Sequence, residues 1–153
     1  PASSMDKAEV QMFYRFFTEI GIIHQLGRAV IEARFPSDIT TTHFGVLGHL
    51  MRRPDGQTPL DLATAFQVPK TTMTHMIKVL VRHGYVEVTP HPEDGRSKLV
   101  RTTEAGKAFI SESMVAMAPE FGTLVDRIGA DAVEALLPGL ARIRETMDAM
   151  RDP

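Results

Sequence analysis

The sequence predicts a mainly α-helical fold interrupted by one short β-hairpin, and three observations predict it. In Lys70–His83, KTTMTHMIKVLVRH, the apolar residues Met73, Met76, Ile77, Leu80 and Val81 fall on one stripe of a helix. YVEVT and SKLVRT then alternate in the two-residue period of strands, separated by the turn HPEDGR. Helical periodicity without strand signals occupies both flanks. Helix, hairpin with basic residues at its tip, and helix again make a winged helix-turn-helix.

The first helix is expected over Asp6 to Phe35. Val10, Phe13, Phe17, Ile20 and His24 form one stripe, and Met12, Phe16, Ile23, Leu26 and Val30 a second. Two stripes require burial on more than one side, and in a chain this small a second copy covers such a helix more easily than the chain's own lobe. Pro36 ends it. A second helix, Ile39 to Arg53, starts at Thr40 or a neighbouring Thr and turns Phe44, Leu47, Leu50 and Met51 to the core. After the Pro54-Asp55-Gly56 turn, Thr58 caps a third helix with Pro59 in its first position and Asp61 at the positive end of the dipole. Its inward residues are read as Leu60, Ala63 and Phe66. The short link Gln67-Val68-Pro69 joins it to the helix at Lys70 as a helix-turn-helix.

Gly84 closes that fourth helix. In the hairpin, Val86 and Val88 share a face, Leu99 faces away from Lys98, and Asp94-Gly95 favours a tight turn. Thr103 caps a fifth helix running to Ile128, with Gly129 as the break before a sixth from about Ala130 to Met150. Val133, Leu136, Leu137, Leu140, Ile143, Met147 and Met150 form a partner-seeking stripe on the sixth. Pro119 and Pro138 each remove a helical hydrogen bond and are expected to kink or break these helices.

Composition limits the chemistry. The chain has 153 residues, 43% apolar and 24% charged, enough for one buried core. Without cysteine there is no disulfide, thiolate nucleophile or cysteine redox switch. No apolar run approaches the roughly 20 residues of a membrane span, and PASSMDKAEV lacks the apolar segment of a secretory leader. The expectation is a cytoplasmic protein without membrane contact; Pro1–Ser4, ahead of Met5, is set aside. The histidines show no metal-ligand spacing, and neither G-x-S-x-G nor a phosphate-binding glycine loop occurs. No catalysis, metal or cofactor is expected.

The polar face of the fourth helix carries Lys70, Thr71, Thr72, Thr74, His75, Lys78 and Arg82, with no carboxylate. Exposed helices ordinarily mix signs, so an acid-free face with hydroxyls near its start suits base edges and phosphates of double-stranded DNA. Thr71, Thr72, Thr74, His75 and Lys78 are the base-reading candidates. Lys70, Arg82, Lys98 and Arg101 are phosphate candidates, and Arg96 at the tip is a candidate for the minor groove. Across residues 69–103, Lys70, Lys78, Arg82, Arg96, Lys98 and Arg101 outnumber Glu87, Glu93 and Asp94, although the whole chain is formally −2. The bland alternative is a Thr-rich solvated face. A rival function is a winged-helix protein-interaction module, but such an interface favours Tyr, Trp, Leu or Met over Thr.

The stretch VPKTTMTHMIKVLVRHGYVEVTPHPEDGRSKLVRTTEAG resembles the core of the MarR family of bacterial transcription regulators. It carries the family's D-x-R as Asp94-Gly95-Arg96, then a basic strand, then Thr102-Thr103-Glu104-Ala105-Gly106 in place of L-T-x-x-G. Thr102 stands where Leu is usual, which loosens packing under the wing without changing its role. The resemblance covers nearly all the chain, and the lack of cysteine excludes the family's thiol sensors as a guide. It implies N- and C-terminal dimerisation helices (5–36 and 104–153) around a DNA-binding lobe (37–103). It implies a homodimeric repressor of a pseudo-palindromic operator, with Asp94 holding the Arg96 guanidinium. It also implies release by a small aromatic or carboxylate effector in a cleft lined from the first, second and fifth helices. Phe17, His24, His43, Phe44 and Phe109 are the lining candidates, the alternative being that the Phe are core and the His capped or solvated.

Overall fold

The structure is a computed structural model and describes residues 4–151. Positions 1–3 of the set-aside segment and the last two of the 104–153 segment lie outside the described residues. The order is α1 (Lys7–Glu32), α2 (Thr41–Met51), α3 (Pro59–Phe66), α4 (Lys70–Arg82), β1 (Val86–Pro90), β2 (Lys98–Thr102), α5 (Glu104–Ala116), α6 (Ala118–Ile128) and α7 (Ala130–Arg151). The chain divides into two compact units, one up to Ala116 and one from Met117.

Local chemistry starts the first three helices. Asp6 accepts the Glu9 N–H at 2.8 Å while Glu9 accepts the Asp6 N–H at 3.2 Å, a reciprocal cap for α1. Thr58 and Asp61 do the same for α3 at 3.0 and 3.2 Å, with Pro59 in the first turn. At α2 the third-position partner is His43, whose Nδ1 accepts the Thr40 N–H at 3.0 Å. α1 stops at Glu32, short of Phe35, because Pro36 disfavours helical geometry in the residue before it and Phe35 turns into the core. Glu32 then binds forward: its Oε1 accepts the Thr41 N–H and the Arg28 Nε–H, each at 2.9 Å. The Thr41 bond is the main reason its carboxyl is held below the usual carboxylate range.

The core of the first unit is built by α2, α3, α4 and the hairpin, with Val46, Leu47, Leu50, Leu62, Met73, Leu80 and Val100 fully buried. Three expected core positions are replaced. Leu60 and Met51 are exposed, and Leu62 and Val46 fill the interior. On α3 the buried set is 62, 63 and half-buried 66, whereas 60, 63 and 66 drift off one face. On α4 Val79 is buried and Val81 exposed, because the helix packs both on α3 and on β1, which rotates its covered face.

β1 and β2 pair antiparallel, Val86 opposite Thr102 and Pro90 opposite Lys98. Gln57 adds a two-bond bridge to Val100 (3.1 and 2.8 Å), so β2 is lined on both edges and Leu99 and Val100 are both buried. The tip is wider than the expected Asp-Gly turn. It runs from His91 to Ser97, and Gly95 has no left-handed backbone. Asp94 closes it instead, accepting the Arg96 N–H on its side chain (3.1 Å) and the Ser97 N–H on its carbonyl (3.0 Å). α5 begins at the expected Thr103 cap, whose Oγ1 accepts the Gly106 N–H at 3.1 Å. A Cβ on Gly106 would overlap the Tyr85 carbonyl, which explains a glycine at that point.

The expected fifth helix is two. It breaks at Met117, so Pro119 lies in the first turn of α6, where its missing N–H costs nothing. Gly129, at φ 79°, separates α6 from α7, and α7 runs unbroken through Pro138. No residue of α6 or α7 is buried, and none of α1.

Candidate nucleic-acid interface

The amphipathic pattern of α4 turns Met73, Met76, Ile77 and Leu80 inward and leaves Lys70, Thr71, Thr72, Thr74, His75, Lys78 and Arg82 exposed. Lys70, Thr71, Thr74, His75 and Lys78 line a shallow pocket of about 300 Å³ on the first turns of the helix. A second groove, about 470 Å³, lies between α3, α4 and the hairpin tip. Lys70 and Thr74 enter it from α4, and Asp94, Arg96, Ser97 and Lys98 from the tip. Thr58, Pro59 and Leu60 complete it from the start of α3. Residues far apart in sequence thus form one surface with three cations and one carboxylate. That carboxylate, Asp94, is engaged by the Arg96 backbone N–H, not its guanidinium.

Thr72 is exposed but lines neither pocket. Arg82 sits at the far end of α4, 3.6 Å from Asp38. Asp38 also meets His83 Nε2 at 2.8 Å, and this hydrogen bond is the main cause of its lowered pKa. Arg101 turns along the sheet opposite Glu87 and donates to Thr89 at 3.0 Å. Sequence reasoning missed Thr58, Pro59 and Leu60. The signal was present in the 62, 63, 66 stripe, which leaves Leu60 outside.

Of the five lining candidates for an effector, Phe44 and Phe109 come together, 6.1 Å between ring centroids. Phe35 joins them at 5.1 and 5.6 Å, and Tyr85 stacks on Phe109 at 4.4 Å. His83 stacks on Tyr85 in turn. His43 is buried as the third-position partner of the Thr40 cap; because its Nδ1 accepts the Thr40 N–H, its neutral ring carries the proton on Nε2, a buried atom without a hydrogen-bond partner. Phe17 and His24 are exposed on α1, and Phe17 meets Phe16 edge-on. Among the described residues no group of three His, Asp or Glu is placed as metal ligands, and no helix is long and apolar enough to cross a membrane.

A helix-turn-helix backed by a two-stranded wing, with cations on the exposed helix and the tip, defines a winged helix-turn-helix protein. Residues 37–97 match the model of the MarR family. The transcriptional activatory protein BadR of Rhodopseudomonas palustris is 32% identical over 99 residues, 63% of this chain and 55% of that protein. The multiple antibiotic resistance protein MarR of Escherichia coli is 35% identical over 85 residues, 56% of this chain and 58% of its own length. The matched chain therefore spans about half the length of these curated relatives. A mutant MarR from E. coli complexed with operator DNA is similar over 91% of this chain and 99% of that one, with 26% identity and a TM-score of 0.70. The transcriptional regulator BldR from Sulfolobus solfataricus shares the fold (TM-score 0.74, 19% identity, 93% and 99% covered). The lobe at residues 37–97 is thus of the MarR family.

Proposed function

We propose that this chain is a cytoplasmic DNA-binding transcription regulator that acts as a homodimer on a pseudo-palindromic operator. The observation that carries the reading is the groove joining the start of α4 to the wing, where Lys70, Arg96 and Lys98 converge beside an acid-free helix face. In use, α4 lies in the major groove with Thr71, Thr74, His75 and Lys78 toward base edges, and Arg96 enters the adjacent minor groove. Asp94 supports that pose by holding the Arg96 backbone. α1 and the helices after α5 present uncovered apolar faces, and their proposed role is dimerisation, which sets two copies of α4 about one helical turn apart, roughly 34 Å.

Regulation in this reading is repression relieved by a small aromatic or carboxylate effector. Its proposed lining is drawn from Phe17, His24, His43, Phe44 and Phe109, of which Phe44 and Phe109 pack together and His43 carries an unpaired Nε2–H. To act, the effector must bind the arrangement with mismatched α4 spacing more tightly. An operator affinity unmoved by a broad panel of phenolic and carboxylate compounds would remove the effector step.

The test of DNA binding is selection from random duplexes, then a salt titration of the native chain and Arg96→Ala. The expected outcome is one enriched palindrome, affinity falling steeply with salt, and weaker binding by the variant. No enrichment, with equal weak binding by both proteins, would sink the reading and leave the basic face to an acidic protein partner.

A further inference from the structure

The groove between α3 and the wing has two kinds of lining, and cation-to-phosphate attraction accounts for only one of them. Lys70, Arg96 and Lys98 supply positive charge from α4 and the tip. From α3 come Pro59 and Leu60, and Leu60 is 59% exposed in a helix whose neighbouring Leu62 is fully buried. The cap geometry holds Leu60 there. Thr58 and Asp61 pin the first turn, so Leu60 cannot rotate inward without breaking both capping bonds.

An occupant matching this lining has an anionic edge and an apolar edge along the same length. A sugar–phosphate strand has both: phosphate oxygens on one side and sugar C–H groups on the other. Resting on the DNA-binding reading above, we propose that this groove seats the backbone of one strand where it crosses from the major groove under α4 to the minor groove under the wing. Leu60 packs on a deoxyribose there and makes the site sensitive to the 2′ position. A 2′-CH₂ against Leu60 is ordinary apolar contact. A 2′-OH in the same place loses its water and gains no partner, and the 2′-OH is the group by which proteins distinguish RNA from DNA. Leu60 acts as a specificity residue for the sugar, distinct from the residues that read bases.

The test is a single-ribonucleotide scan of the selected operator, one 2′-OH per duplex, measured with the native chain, Leu60→Ala and Lys98→Ala. A single ribonucleotide leaves the duplex otherwise DNA, so the scan reads the local contact. For the native chain, one backbone position per half-site is expected to lose about tenfold in affinity, the size of leaving one hydroxyl buried and unsatisfied. In Leu60→Ala that penalty disappears, and binding to all-DNA operator weakens with an unchanged salt slope, because no cation has been removed. In Lys98→Ala the ribose penalty persists while the salt slope decreases by about one phosphate. Leu60 is exposed, so the thermal melt of Leu60→Ala should match the native chain and certify its fold. Operator binding with a scan that is flat, or equally penalised in the native chain and Leu60→Ala, overturns the inference alone. Failure of the native chain to select any duplex overturns the DNA-binding reading and this inference with it.

Discussion

α1 and α4 carry apolar stripes of the same helical period, and the chain treats them in opposite ways. On α4, Met73 and Leu80 are wholly buried. On α1 no residue is buried, and Phe13 and Leu26 are 49% and 65% exposed. Periodicity tells which face of a helix is apolar; it does not tell what covers it. The winged lobe finds its cover within one chain, through α3, β1 and a close approach at Gly106. The exposed apolar residues of α1 recur over its whole length, more than an isolated monomer ordinarily leaves to solvent.

The largest expected effect breaks the self-sufficient side of this contrast. Gly106→Ala drives a methyl into the Tyr85 carbonyl, where backbone must move, and should cost about 3 kcal/mol or more. A thermal melt should drop by roughly 6–12 °C; an unchanged melt would mean that the approach of α5 to β1 is looser than described. The dependent side is tested by Phe13→Glu with Leu26→Glu on α1. The circular dichroism of the lobe should persist while sedimentation shows a monomer and operator affinity falls by about 100-fold or more, as expected when the second half-site no longer contributes through linkage. A dimer that survives both charges would move the self-association surface off α1.

A smaller effect sharpens the contrast at its boundary. Burial lowers the pKa of His43, outweighing the nearby Asp38 and Glu32 carboxylates, and burial likewise lowers His49 beside Arg53. The folded state therefore binds fewer protons than the unfolded chain just below their ordinary value of 6.5. Stability should be greatest above that pH and decline as pH falls through the folded values. His43→Gln keeps a side chain able to accept the Thr40 N–H and removes one titration, so its melting temperature should fall less between pH 7 and pH 5. An identical pH profile would show that His43 is not excluded from protonation.

What was legible in the chain was local. Thr40 and Thr58 were readable as caps because a cap and its N–H lie within three residues, and the stripe on α4 was readable because it repeats. The misassignments came from distance. Val79 replaces Val81 because β1 covers that flank, and Leu60 is displaced because Pro59 and the Thr58–Asp61 cap fix where the helix begins. Arg82 remains a phosphate candidate; what the sequence could not show is Asp38, far away along the chain, 3.6 Å from it. The tip of the wing was misread because Asp94 uses its side chain where a glycine backbone was expected. Of the candidate interface, Lys70, Thr74, Asp94, Arg96 and Lys98 are named by the sequence, but their meeting in one groove with Leu60 required the fold.

The carboxylate of Glu32 has a mechanical meaning as well. One oxygen holds Arg28 within α1 and both the N–H and, at 3.3 Å, the hydroxyl of Thr41 at the head of α2. The segment between the two helices is thus clamped across its ends, and α1 cannot swivel on α2 without giving up the Thr41 donors. An arm fastened in this way behaves as a lever. A swing of α1 would pull first on Thr41, at the head of α2.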